Sequence, residues 1–220
     1  MGWHKPYQAY LFDLDGTLID TAPDLNRGLN HSLKLAQLPE VPESLTRHWI
    51  GHGAKVMVEQ ALAYHQVANA ADLVEPMFND FLEYYAVHNA ELSQPYPTVI
   101  ETLDTLSNQG KVLCVVTNKL ESFSRSILES LNINHFFAEL IGGDTADKPK
   151  PDPAPIDLCL ERINVQRDQA LFVGDSITDV NAARNANMTV VCMRDGYNHG
   201  TPAIELGADG VIDQFAELLV

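Results

Sequence analysis

The chain is poor in sulfur, in positive charge and in long apolar runs, and each shortage removes a class of protein. Its three cysteines, Cys114, Cys159 and Cys192, are far apart, sit among apolar neighbours and form no CxxC pair. An odd count at such spacing argues against a disulfide framework or a zinc site and for buried thiols in a reducing compartment. Lys and Arg number 14 against 30 Asp and Glu, a formal net charge of −16. That charge repels phosphate backbones and anionic headgroups, so neither a nucleic acid nor a membrane is expected as a partner. The longest apolar runs resemble Val112 to Val116, far short of the ~20 residues of a membrane span. The opening MGWHKPYQ has no apolar signal core, so the cytoplasm is the expected location. Repeats, low-complexity tracts and charge blocks are also missing.

What remains is a chain of 220 residues, 45% hydrophobic and 20% charged, enough for one large domain or a core with an insert. Ala9 to Phe12 reads as a buried strand that ends abruptly in Asp13-Leu-Asp-Gly-Thr17. From Pro23 to about Asn89 the spacing turns helical, with Leu25, Leu29 and Leu33 and later Met77, Phe81 and Tyr85 on common faces. Three or four amphipathic helices are expected there, broken at Gly51-His-Gly53. Helices and strands then alternate. Helices are expected at Thr98 to Asn108, Glu121 to Leu131, Ile156 to Ile163 and Val180 to Ala186, with a terminal helix after Ile212. Strands are expected at Val112 to Val116, Glu139 to Ile141, Ala170 to Val173, Thr189 to Met193 and Gly210 to Ile212. Alternation of this kind predicts an α/β fold, a Rossmann-like parallel sheet with helices on both faces. Residues 1–20 and 94–220 form the expected core, and residues 21–93 an all-helical insert.

Polar residues gather just past three of the expected strands: Asp13 and Asp15, Thr117 and Asn118, Asp175 and Asp179. In an open α/β sheet that edge binds ligands. Three carboxylates brought together repel one another unless a cation lies between them, and carboxylate, backbone oxygen and water are the ligands Mg²⁺ prefers. A hydroxyl, an amide and a lysine in the same crevice are donors for phosphoryl oxygens. The combination points to phosphoryl transfer. For the lysine, the pattern Lys-Pro-x-Pro-x-Pro fits from Lys148 and from Lys150. Lys150 is preferred because its last proline, Pro155, abuts a helix whose first turn tolerates it.

Asp13-Leu-Asp-Gly-Thr-Leu18, Thr117-Asn118, Lys150 with its prolines and Gly174-Asp-Ser-x-x-Asp179 resemble, in order, the four motifs of the haloacid dehalogenase-like hydrolases. The insert resembles that family's helical cap. DTAPDL, WIGHGA, TNK and IGGD are similar to its phosphoglycolate phosphatase subgroup. The resemblance implies Asp13 as nucleophile, Asp15 as acid and base, and Lys150 as the transition-state cation. It also implies Thr117, Asn118 and Gly16 around the phosphoryl group, Mg²⁺ on Asp13, Asp15 and Asp175, and Asp179 in support. The implied substrate is a small phosphorylated metabolite, with 2-phosphoglycolate first and a phosphosugar mutase reaction as the alternative. The implied assembly is a monomer or homodimer. A substrate carboxylate needs donors from the insert, and the turn before a helix at Ala54, with Arg47 and Lys55 beside it, is expected to supply them. His48 and His52, separated by a helix break, are expected to be solvated loop residues.

Overall fold

The computed structural model describes residues 2–219. Six strands make one parallel sheet: β1 (Ala9–Phe12), β4 (Val112–Val116), β5 (Glu139–Ile141), β6 (Ala170–Gly174), β7 (Thr189–Met193) and β8 (Gly210–Ile212). Their order is β5-β4-β1-β6-β7-β8, with Leu11 opposite Cys114 on one side and Phe172 on the other. The chain therefore leaves β1 in both directions, and the crevice beyond β1, β4 and β6 is the topological switch point where such sheets bind ligands.

Strand alternation assigns the two cores. Tyr10 and Phe12, Leu113 and Val115 face one side, against Val99, Leu103 and Leu106 of α5 (Val99–Asn108) and Ile127 and Leu128 of α6 (Glu121–Ser130). Ala9 and Leu11, Cys114 and Val116 face the other, against α7 (Ala154–Ile163) and α8 (Ile177–Asn185). All three cysteines are free and buried in this second core.

The insert holds α1 (Ala22–Leu35), α2 (Glu43–Trp49), α3 (Ala54–Tyr64) and α4 (Ala70–His88). The stripe Leu25, Leu29 and Leu33 packs into a third core with Met57, Leu62 and Phe81. Each such side chain contributes about 1.5–3 kcal/mol of burial, which lets the insert hold its own shape. Its neck is a two-stranded antiparallel ribbon, β2 (Ile19–Asp20) on β3 (Gln94–Pro95). Two-residue strands carry no periodicity, so the ribbon leaves no trace in the sequence pattern. Asp24 fastens the neck from the first turn of α1: its carboxylate accepts Leu92 N–H, Ser93 N–H and the Ser93 hydroxyl at 2.7–3.1 Å.

Three expected helices differ from those observed. α7 starts two residues early, at Ala154, and α8 three residues early, at Ile177, because Ser176 caps it in a reciprocal box with Asp179. The terminal helix is a single 3₁₀ turn, Phe215–Leu218. Among the described residues no helix is long and apolar enough to cross a membrane.

Candidate active site

The loop after β1 is forced into shape by packing. Gly16 has φ +83°, and a Cβ there would lie 2.4 Å from Asp175 Oδ2 and 2.7 Å from the Tyr197 ring. Its amide donates to Ile19 O. Gly16, expected at the phosphoryl group, instead admits Asp175 and Tyr197 to the loop, and its N–H is already engaged. Gly196 serves the same approach, since its Cβ would lie 2.1 Å from Asp175.

Asp13 is buried, and its Oδ1 accepts Leu14 N–H at 2.8 Å and lies 3.0 Å from Lys150 Nζ. Among the described residues Oδ2 takes no hydrogen bond. Lys150 Nζ also reaches Asp179 Oδ1 at 2.7 Å and Val116 O at 2.9 Å. Lys148 is exposed and 3.5 Å from Asp152, away from these carboxylates. Asp179 Oδ2 accepts the N–H groups of Asp175 and Ser176 and the Ser176 hydroxyl. Asp175 accepts the Thr17 hydroxyl at 2.7 Å and Tyr197 N–H at 2.6 Å.

The electrostatics follow from burial. Desolvation pushes Asp13 up to about 6 against the pull of Lys150, with Asp179 and Asp15 adding to the rise. Burial, then the charges of Asp179 and Asp13, hold Asp175 well above the ordinary carboxylate range. Burial alone would raise Asp179, but Lys150 holds it below that range. Desolvation of Lys150 is outweighed by the facing Asp13 and Asp179, which keep its ammonium charged.

Asp13, Asp175 and Asp179 bring one oxygen each to within 4.8 Å of one another. Three buried carboxylates facing one ammonium leave excess negative charge, and an all-oxygen set suits a hard divalent cation. Asp179 is spent on Lys150 and on three donors at the α8 N-terminus. Asp175 takes one neutral donor on each oxygen and faces no ammonium, and Asp13 keeps Oδ2 open, so Asp13 and Asp175 are the side chains that fit such an ion.

Asp15 lies beside Asp13 and is gripped by residues the sequence reading left without a role. Lys119 Nζ lies 3.0 Å from both of its oxygens, and the Thr21 hydroxyl donates to Oδ1 at 2.6 Å. The TNK tripeptide held the signal for Lys119. Thr117 lines the crevice and accepts Lys119 N–H through its hydroxyl. Asn118 lines it too, but its side chain clasps the backbone of Lys150, accepting N–H at 2.8 Å and donating to C=O at 2.9 Å. Asn118 therefore fixes the lysine loop, beyond the phosphoryl contact expected of it.

The crevice, about 210 Å³, is roofed by the insert with Leu25, Ile50, Gly51, Gly53, Met57 and Tyr85. Lys55 stands at its rim, exposed and paired with Glu75. Arg47 corrects an expectation: it lies outside the lining, because Asp20 at 2.8 Å and Glu43 at 2.7 Å hold its guanidinium at the neck. The Tyr197 hydroxyl meets the same Asp20 and accepts Ala22 N–H. Nothing in the sequence pattern marks Tyr197. His48 and His52 are both exposed, as expected, but His48 lies on α2 and His52 stacks on His199 of the core at 4.7 Å.

The model of the family described as haloacid dehalogenase-like hydrolase matches residues 10–193. The chain belongs to that family. A phosphoglycolate phosphatase of Haemophilus influenzae is 40% identical over 212 residues, 94% of this chain and 95% of that one. One of Agrobacterium fabrum is 40% identical over 208 residues, 94% of this chain and 89% of that one. Among solved structures, a protein described as a predicted phosphoglycolate phosphatase of Haemophilus somnus superposes with a TM-score of 0.92. It is 36% identical and covers 98% of each chain. The resemblance seen in the four motifs thus extends along the chain, and the chain is an enzyme of this hydrolase family.

Proposed function

We propose that the enzyme hydrolyses a small phosphomonoester, 2-phosphoglycolate, to glycolate and phosphate. The observation that carries this reading is the Asp13–Lys150–Asp179 chain, which presents Asp13, with Asp15 alongside, to a small crevice under the insert. About 210 Å³ falls below the roughly 300–1,000 Å³ of typical ligand pockets. The names of the relatives at 40% identity support the same substrate.

Asp13 Oδ2, without a hydrogen-bond partner among the described residues, attacks phosphorus as the ester P–O bond breaks. Asp15 protonates the departing alkoxide, then takes a proton from the water that cleaves the aspartyl-phosphate and returns Asp13 to a carboxylate. Lys150 neutralises charge beside Asp13 in both halves, and Asn118 holds its backbone in place. Thr117 presents its hydroxyl to the phosphoryl oxygens. Mg²⁺ fits on Asp13 and Asp175 with the Asp15 backbone carbonyl, and when bound it supplies charge neutralisation for the phosphoryl group.

The test is phosphate release across small phosphomonoesters with Mg²⁺, before and after chelation. Turnover should be fastest with 2-phosphoglycolate, vanish with EDTA and return with Mg²⁺. Release from no monoester, or undiminished release after rigorous chelation, overturns the proposal.

A further inference from the structure

We infer that the Lys119 ammonium and the Tyr85 hydroxyl form a subsite, at the junction of core and insert, for a carboxylate two atoms from the phosphoester. The inference rests on the reading of the site as a phosphomonoesterase and names the groups that choose its substrate. Arg47 does not line the crevice, and Lys55 shares its charge with Glu75 at the rim. Much of the remaining roof is apolar, including Leu25, Ile50 and Met57. A small diacid cannot leave its second charge against such a surface without a donor.

Lys119 is placed to provide one. Its side chain is only 6% exposed, and its Nζ lies 3.0 Å from both oxygens of Asp15. An ammonium carries three N–H groups; Asp15 takes two, and the third lies toward the Tyr85 hydroxyl, so the two donors adjoin. Asp15 stands at the departing oxygen of the ester. Lys119, one hydrogen bond further on, therefore meets the atoms just beyond that oxygen.

Tyr85 gives the independent observation. It is 1% exposed and lines the crevice, yet its hydroxyl has no hydrogen-bond partner among the described residues. Buried hydroxyls are rarely left so, because the lost hydration is not repaid. Its ring is fixed by stacking on Phe81 at 5.1 Å and by an edge contact with Phe123 at 5.4 Å. Lys119 Nζ lies 5.0 Å from the centre of that ring. Burial pushes the phenol up to about 12, so it remains an O–H donor throughout the physiological range. A bound carboxylate supplies an acceptor for this O–H and draws the third N–H of Lys119 from the phenol oxygen beside it.

The two donors come from different parts of the chain, Tyr85 from α4 of the insert and Lys119 from the loop after β4. The subsite is complete only when the insert sits on the core, as it does here with Asn118 Nδ2 3.4 Å from Gly51 O. A substrate carboxylate would then favour the closed arrangement that excludes water from the ester.

The experiment compares 2-phosphoglycolate with ethyl phosphate, which has the same chain length and no carboxylate. Tyr85→Phe keeps the ring and removes the hydroxyl. It should lower kcat/KM for 2-phosphoglycolate about 10- to 100-fold, mostly through KM, and leave ethyl phosphate within about twofold. Lys119→Met also disturbs Asp15, so its readout is the ratio of the two substrates, which should fall by a similar factor. Unchanged ratios in both variants overturn the subsite while leaving the phosphatase reading intact. A wild-type chain that releases phosphate from neither ester overturns the reading of the site itself, and the subsite with it.

Discussion

The floor and the roof of the crevice are made of different chemistry. On the floor the ionisable groups are buried and locked: Lys150 holds Asp13 and Asp179 at 2.7–3.0 Å, and Asp175, within 4.8 Å of both carboxylates, is held by Thr17 and Tyr197. On the roof the insert offers Leu, Ile, Met and aromatic side chains, and cations of the insert pair with its acids at the surface, as Lys55 does with Glu75 and Arg27 with Glu91. A buried ionic floor admits almost no substitution, because removing one partner strands the other charge. A packed apolar roof tolerates change that conserves volume. The reaction is thus fixed by the floor, and the choice of substrate is left to the few polar groups at the seam.

The sharpest way to break this comparison is at the floor. Asp13→Asn preserves shape but removes the proposed nucleophile, and kcat should fall by roughly 10³-fold or more with the far-UV circular dichroism unchanged. Turnover near the wild-type value in the pure, folded variant would remove Asp13 from the mechanism. The matching change in the roof is Met57→Leu, a buried, volume-conserving swap that should cost below about 1.5 kcal/mol and leave kcat near wild type.

A second prediction concerns the neck that joins the two. Asp24 accepts two N–H groups and one hydroxyl from residues 92–93 and is wholly buried. Asp24→Ala leaves those donors without an acceptor and should lower stability by about 2–3 kcal/mol in a denaturant titration. Activity below the transition should be much less affected, since Asp24 touches no floor residue named here. A loss of activity equal to that of Asp13→Asn would erase the distinction between neck and floor.

Smaller still is the neck pair of Arg47 and Asp20. Both are about one-third exposed, and solvent screening limits the pair to about 1 kcal/mol or less. Burial would raise Asp20, but hydrogen bonds from Arg47 and Tyr197 hold it below its ordinary value. A depressed carboxyl gives stability that is present above its unfolded value near ~3.9 and fades as pH falls through the folded one. Arg47→Met should therefore be less stable than wild type at pH 7 and approach it at the acid end. A gap that widens on acidification would refute the assignment.

The floor was legible in the sequence and the roof was not, for physical reasons. Asp13, Asp15, Thr117, Asn118, Lys150, Asp175 and Asp179 each follow a β strand or stand in a proline-marked loop, where chemistry restricts residue type and spacing. Arg47 was expected at the substrate because it neighbours the Gly51–Gly53 turn, but sequence proximity does not say that Asp20, 27 residues earlier, captures its guanidinium. Tyr85 reads as one more apolar position on the α4 stripe, since periodicity reports the ring and is blind to the hydroxyl. Tyr197 joins Asp175 to Asp20 from a loop without periodicity at all.

The smallest expected effect lies where the loop of the insert touches the core. His52 stacks on His199 at 4.7 Å with the rings 9° from parallel, and His199 Nδ1 lies 2.9 Å from His48 O. Burial, then the facing His199, lowers the pKa of His52 below its ordinary value. The unfolded chain, titrating near ~6.5, thus takes up a proton before the folded one does. The stability held by this contact is complete above that value and declines as pH falls through it toward the folded one. Thermal melts from pH 7.5 to 5.5 should show this decline in the wild type and a shallower one in His52→Gln, which cannot titrate. His199→Asn tests the same contact from the core side, because asparagine tolerates the left-handed φ of +54° at that position. It removes the stacked ring and the repelling charge together, so it too should flatten the profile. An unchanged slope in both variants would show that the two rings meet without coupling their protonation to the seating of the insert.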